Sequence, residues 1–213
     1  MYRRGQVREF FQEYLRENLG VYLFVILLFL MGIIFGALAV KALNSQQKTE
    51  LFSYLEVFIQ GMNPLLAKTD SLLHNSIIDN LQTIGLIWCF GLIVIGLPLV
   101  LVMVFTKGFA LGFTVGFLVY EIGFKGVFFS IASVLPPSLF LIPALVVMSV
   151  AAISFSLAII RSRLLRHNVH VYPQQVFGYS CLALLAAGMG ILASLVEIYI
   201  SPVFIGLVSK WVF

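Results

Sequence analysis

Residues 21–40 read VYLFVILLFLMGIIFGALAV, a run without one charged side chain. A helix needs about 20 apolar residues to cross a hydrocarbon core of about 30 Å, and this run is long enough. At about −0.4 kcal/mol for each Val, Ile, Leu or Phe, insertion is favoured by about 6 kcal/mol at most. Similar runs recur along the chain, at 83–105, 139–160 and 177–197. The composition agrees. Of 213 residues, 61% are hydrophobic and 10% are charged, and the mean hydropathy is +1.06. An ordinary soluble domain carries about a quarter charged residues, so 13 basic and 9 acidic side chains cannot cover a soluble surface of this size. Disorder is excluded for the opposite reason, because low hydrophobicity is what keeps a chain unfolded. The sequence predicts an all-α, polytopic membrane protein in contact with the lipid bilayer.

The stretch between the second and fourth runs needs more care. Gly108 to Tyr120 is too short to cross alone at about 1.5 Å per residue. A span over 108–128 must accommodate Glu121 and Lys125, whose i, i+4 spacing suits a pair on one helix face. Lys125 would snorkel to the headgroups. Counting this span gives a single domain, 1–213, with about five transmembrane helices at 21–40, 83–105, 108–128, 139–160 and 177–197. Pro98 predicts a kink in the second span, because proline removes one backbone donor and clashes with the preceding turn. Residues 129–137, before Pro136 and Pro137, are either interfacial or re-entrant. Ala37 and Ala39 resemble a signal-cleavage site, but the apolar core is too long for a signal peptide. The first span therefore reads as an uncleaved anchor.

Orientation follows from the basic residues. Arg3, Arg4, Arg8 and Arg16 precede the first span, and Arg161, Arg163 and Arg166 follow the fourth. With a cytoplasmic N-terminus and five crossings, every Arg lies inside, as the positive-inside rule prefers, and the C-terminus lies outside. Lys107 joins them in a cytoplasmic turn, with Gly108 ending that turn. Lys41, Lys48, Lys68, Lys125 and Lys210 fall outside. Residues 2–19 place Val7, Phe10, Phe11, Tyr14 and Leu15 opposite Arg and Glu, the pattern of an amphipathic helix lying on anionic lipid. The external segment, 41–82, carries Leu51, Leu55, Phe58 and Met62 at helical spacing before Gly61 to Pro64 breaks the pattern. It is too small for an enzymatic domain but large enough to dock a partner, with Tyr54, Leu55 and Phe58 as the candidate contacts.

No catalytic constellation emerges. No phosphate loop, G-x-S-x-G or H-E-x-x-H motif is present, so the chain is expected to be no enzyme and to hold no cofactor. His167 and His170 lack a third ligand, His74 stands alone, and no metal site is expected. Cys89 and Cys181 sit in apolar runs and indicate neither a disulfide framework nor zinc. With a net charge of +4 and Arg residues flanking apolar runs, no nucleic acid is expected either. Ionisable residues within a membrane usually mark function. The candidates are Glu121, Lys125 and Glu197, all placed at the outer interface.

The glycines say more. Gly108, Gly112 and Gly116 form two overlapping GxxxG steps, Gly32 and Gly36 a third, and Ala186 with Gly190 repeats the theme. Small residues at this spacing let helix backbones approach closely where no hydrophobic force drives association. They serve packing within the bundle or contact with a partner, and a homo-oligomer stays open.

Several apolar segments carry a resemblance. They are Val21 to Val25, FLMGIIFGALAV at 29–40, KGFALGFTVGFLV at 107–119 and SVLPPSLFLIPALVVMSVAAISFSL at 133–157. In order and spacing the chain resembles the stage II sporulation protein M family of endospore-forming bacteria. That resemblance implies a membrane scaffold for sporulation engulfment on the mother-cell side of the septum. It would hold two peptidoglycan-degrading partners, stage II sporulation proteins D and P. A broader related family carries a His-containing motif before the fourth span, whereas Leu135-Pro136-Pro137 stands there in this chain. The alternative reading is a permease or channel subunit, with Pro98, Pro143 and Glu121 marking a broken-helix path.

Overall fold

The computed structural model describes residues 18–60, 69–93, 95–164 and 173–203, and every regular element among them is helical. In chain order these are α1 (Leu19–Ala42), α2 (Ser45–Gln60), α3 (Thr69–Leu92), α4 (Gly96–Ile122), α5 (Phe124–Leu164) and α6 (Pro173–Leu195). α6 continues through a π-helical turn, Val196–Ile200. The expected interfacial helix at 2–19 lies outside the described residues except at its very end. So does the loop holding Arg166, His167 and His170.

α1 contains the first expected span, and the carbonyl of Asn18 accepts the N–H groups of Val21 and Tyr22 at 2.9 and 3.0 Å. The chain leaves α1 through an extended Leu43 and starts α2 at once. Asn44 and Gln47 fasten that start reciprocally. The Gln47 N–H donates to Asn44 Oδ1 at 2.9 Å, and the Asn44 N–H donates to Gln47 Oε1 at 3.0 Å. This capping box satisfies two donors that a helix N-terminus would otherwise leave open. Lys48 then sets its ammonium 4.1 Å from the centroid of the Tyr120 ring, tying α2 to the end of α4.

The expected second span, 83–105, is two helices instead of one kinked helix. α3 stops at Leu92, and α4 begins at Gly96. The chain doubles back so tightly that a Cβ on Gly96 would collide with the backbone of Phe90. Pro98 therefore sits in the first turn of a new helix, where its missing N–H has no helical acceptor to lose. The kink expected there is replaced by a turn. Lys107 and Gly108 in consequence lie deep within α4, not in a cytoplasmic loop.

The expected span at 108–128 also breaks, at Gly123, which adopts φ 66° and ψ −143°. Only glycine enters that region without strain. Glu121 ends α4 and Lys125 opens α5, so they are not an i, i+4 pair on one helix. α5 then runs unbroken through 129–137 and through Pro136, Pro137 and Pro143. Each proline deprives the carbonyl four residues earlier of its helical donor. Serines nearby turn inward to the backbone, with Ser138 Oγ donating to the Val134 carbonyl at 2.6 Å and Ser130 Oγ to that of Gly126 at 2.7 Å.

Contacts between helices fix their directions. Phe29, Ile33 and Ala37 of α1 meet Gly108, Gly112 and Gly116 of α4, so these two helices run parallel. Ser76, Asn80 and Ile87 of α3 meet Glu197, Ser194 and Tyr179 of α6, so that pair is antiparallel. Asn18 lies beside Ser154, and Gly91 against Ala152. The chain thus passes back and forth between two ends, along α1, α3, α4, α5 and α6 in turn. α5 is the central post and supplies Ala144, Leu145, Met148, Val150, Ala152 and Ile153 to the core, with Val25, Phe29, Ile87, Val100 and Val104 around them. Among the described residues four segments are long and apolar enough to cross a membrane: Leu19–Ala42, Gly96–Ile122, Phe124–Ile160 and Val176–Val203. α3 falls short by composition, because its first half carries Asp70, His74, Asn75, Asp79 and Asn80.

Candidate functional site

Two seams and two charges set well inside helices, without a bond to any described residue, are the features of this bundle that bear on function. The first seam joins α1 to α4 and uses the five glycines of the GxxxG steps, Gly32, Gly36, Gly108, Gly112 and Gly116. A Cβ on Gly32 would lie 2.5 Å from the Phe105 carbonyl oxygen, and one on Gly36 would lie 2.8 Å from the Phe113 nitrogen. From the other side, Gly108, Gly112 and Gly116 face the backbones of Phe29, Ile33 and Ala37. Gly32, Gly36, Gly108 and Gly112 are all buried. Backbone rests on backbone here. Beside the seam, Phe105, Phe109, Phe113 and Phe117 form an i, i+4 ladder with centroids 6.2–6.5 Å apart, and Phe35 of α1 packs at its end.

The second seam joins α3 to α6 and is polar. Ser76 Oγ donates to a Glu197 carboxylate oxygen at 2.6 Å. Asn80 Nδ2 donates to Ser194 Oγ at 2.9 Å, and Ser194 Oγ donates to the Gly190 carbonyl at 3.2 Å. Gly190 receives Ile84 against its Cα. Towards the other end, Tyr179 stacks on Phe155 at 5.0 Å and gives its hydroxyl proton to the Trp88 carbonyl at 3.0 Å. Glu197 stands in the π-helical turn, the kind of local insertion often found at functional sites. Sequence reasoning placed Glu197 at an interface without its partners. The signal for them was the string Ser76, Asp79, Asn80, Thr83 at helical spacing, which a span boundary at 83 cuts off.

Asp79 and Lys107 are the two charges that stand well inside the helices of the bundle, unlike Lys41 and Glu121 at helix ends. Asp79 is exposed and Lys107 half-buried, and neither side chain bonds a described residue. The α1–α4 contacts put Leu97 at the level of Asn18, so Lys107 lies about 15 Å further along. Asn18 meets Ser154 and Gly91 meets Ala152. Counting back from Gly91, Asp79 lies about 20 Å from the Asn18 level. The two depths differ by about one helical turn. Lys107 stands in the middle of α4, one of the candidate spans, and transfer scales put a Lys near the centre of a membrane helix at about 2.5–3.5 kcal/mol. Such a residue is tolerated where it has a partner or a role.

The remaining candidates are dispersed. Tyr54 is 74% exposed on α2, while the side chains of Leu55 and Phe58 lie outside the described residues. Glu121 and Lys125 flank the Gly123 turn. Among the described residues no group of three His, Cys, Asp or Glu could hold a metal ion.

A family model described as stage II sporulation protein M matches residues 25–202, which takes in α1 to α6. The chain belongs to the stage II sporulation protein M family. The match begins inside α1 and ends in the last turn after α6, so it spans both seams and both charges. No curated protein and no solved structure matches the chain. The chain is thus a sporulation-related membrane protein, built as a helical bundle around α5.

Proposed function

We propose that this stage II sporulation protein M family member is a scaffold for engulfment, without catalysis of its own. It recruits peptidoglycan-degrading partners, stage II sporulation proteins D and P, and anchors them at the mother-cell side of the sporulation septum. The family match over 25–202 carries the proposal. The bundle supports it in two ways. Its interior is spent on a glycine seam and an apolar core around α5, an arrangement suited to holding shape. One exposed helix, α2, is started by the Asn44–Gln47 box and tied to the bundle by Lys48 on Tyr120, and it offers Tyr54 for docking.

On this reading α1, α3, α4, α5 and α6 all cross the membrane, which keeps five crossings while moving their limits. α3 crosses with its polar half turned partly against α6. The segments before α1 and between α5 and α6 leave at one end of the bundle, so all the Arg residues fall on the cytoplasmic side. α2 and the C-terminus then face the wall space, where hydrolases act.

Co-purification tests the proposal. Tagged protein extracted from sporulating cells should bring down both partners, and Tyr54→Asp with Phe58→Asp should lower their recovery while the bundle stays intact. Failure of both partners to co-purify would refute the scaffold reading. Solute flux through liposomes holding the protein alone would favour the permease alternative instead.

A further inference from the structure

α3 leaves a polar stripe uncovered. Asn75, Asp79, Gln82 and Leu86 follow one another at i, i+4, i+7 and i+11, and all four are exposed. α3 is nevertheless packed into the bundle along its length, from Ser76 on Glu197 to Gly91 on Ala152. On the five-crossing reading, on which this inference rests, the stripe faces hydrocarbon in the outer half of the bilayer. Lipid offers an exposed carboxylate nothing. Lys107 meets the same difficulty from the next helix. Its side chain reaches about 6 Å, while the nearer end of α4, Gly96, is about 16 Å away, so it cannot snorkel to the headgroups.

These two charges are opposite in sign, lie within about one helical turn of each other in depth, and have no bond to a described residue. Every copy of the chain enters the membrane in the same orientation, so depth is preserved between neighbouring copies. We infer that two copies associate side by side through the α3–α4 hairpin, with Asp79 of one copy paired to Lys107 of the other. The contact is charge-assisted and sheltered from water, the setting in which a carboxylate–ammonium pair discriminates most strongly between right and wrong partners. Asn75 and Gln82 extend the polar surface on either side of Asp79 and can exchange hydrogen bonds across the same contact.

Charge reversal in trans tests this. Full-length protein is labelled separately with donor and acceptor fluorophores, reconstituted in phosphatidylcholine vesicles, and its self-association read from energy transfer against dilution in lipid. Asp79→Lys alone and Lys107→Asp alone should each weaken self-association by roughly tenfold or more. A mixture of the two variants should restore transfer. The two reversed positions then face each other with opposite charges, and the unaltered Lys107 of one variant meets the unaltered Asp79 of the other. Pairing within one chain cannot be repaired by mixing, and a misfolded variant cannot be rescued by it. Wild-type copies that do not transfer energy would overturn the inference and leave the charges to a different partner's helix. Unchanged transfer in the single variants, or no recovery on mixing, would overturn it as well. The underlying depth is checked separately. With Cys89 and Cys181 changed to Ser, Asp79→Cys in vesicles should resist a membrane-impermeant maleimide. Ready labelling would refute the crossing of α3 itself.

Discussion

Substituting Gly112 by Ala places one methyl group against the thinnest part of the bundle. The added Cβ would stand 2.6 Å from both the carbonyl carbon and the Cα of Ile33. Ordinary contact for such atoms is near 3.5–4.0 Å, so α1 and α4 must separate by about 1 Å. The obstacle is backbone, which cannot rotate aside as a side chain can. Overpacking of this kind costs about 1–3 kcal/mol, and a rigid neighbour puts Gly112 at the upper end. Alanine returns about 1 kcal/mol through its better helix propensity. The expected net loss is about 2 kcal/mol. Gly85 and Gly188 supply the control, because a Cβ at either meets nothing within 4 Å. Gly85→Ala and Gly188→Ala should leave stability unchanged or raise it by up to about 1 kcal/mol. The assay is reversible unfolding in mixed micelles, followed by helical circular dichroism and by tryptophan fluorescence. Gly36→Ala combined with Gly112→Ala should cost less than the sum of the two, since the first methyl already opens the seam that the second would strike. If Gly112→Ala proves as stable as Gly85→Ala, the close approach of α1 and α4 is wrong.

Three further outcomes are expected. Gly123→Ala should destabilise the protein by about 1–3 kcal/mol in the same assay, and Gly123→Asn should be no better, because ψ −143° lies outside the left-handed helical region that asparagine tolerates. Asn80→Ala should cost about 0.6–1.7 kcal/mol, the range for an interhelical hydrogen bond in a membrane, since it deletes the bond to Ser194 and leaves Ser194 bonded to Gly190. Lys48→Ala should change global stability by less than about 1 kcal/mol, yet speed proteolysis of α2 measurably, because the cation over Tyr120 tethers that helix.

The sequence made the class and one seam legible. An uncharged run such as 21–40 has one stable use, and GxxxG steps at 32–36 and 108–116 need backbone neighbours, so α1 and the glycine faces could be read directly. The boundaries inside 83–128 were harder for a physical reason. Hydropathy marks where a chain leaves lipid, but the sequence between α3 and α4 is apolar, with Ile95 78% exposed, and no polar residue announces the reversal. Its signals were local. Gly96 followed by Pro98 is the start of a helix written in backbone chemistry, and Gly123 between Glu121 and Lys125 is a stop. Asn44 and Gln47 likewise spelled out the start of α2. Lys107 was misplaced because a charge between two apolar runs is normally a loop. Its depth appears only once Gly108 is found against Phe29.

The two seams divide the bundle into unlike halves. α1 and α4 meet without a polar side chain at their glycines, so their separation is set by atomic contact and tolerates little change. α3 and α6 meet through Ser76, Asn80, Ser194 and Glu197, bonds that survive small shifts because hydroxyl and amide groups can re-aim. α5 touches both halves and is crossed by three prolines, each removing one helical hydrogen bond and so easing bending at that point. A load applied at α2, which Lys48 ties to Tyr120 at the end of α4, is therefore carried first by the stiff half. It reaches the adjustable half through α5. On the proposed scaffold function, α2 is attached to the part of the bundle least able to yield.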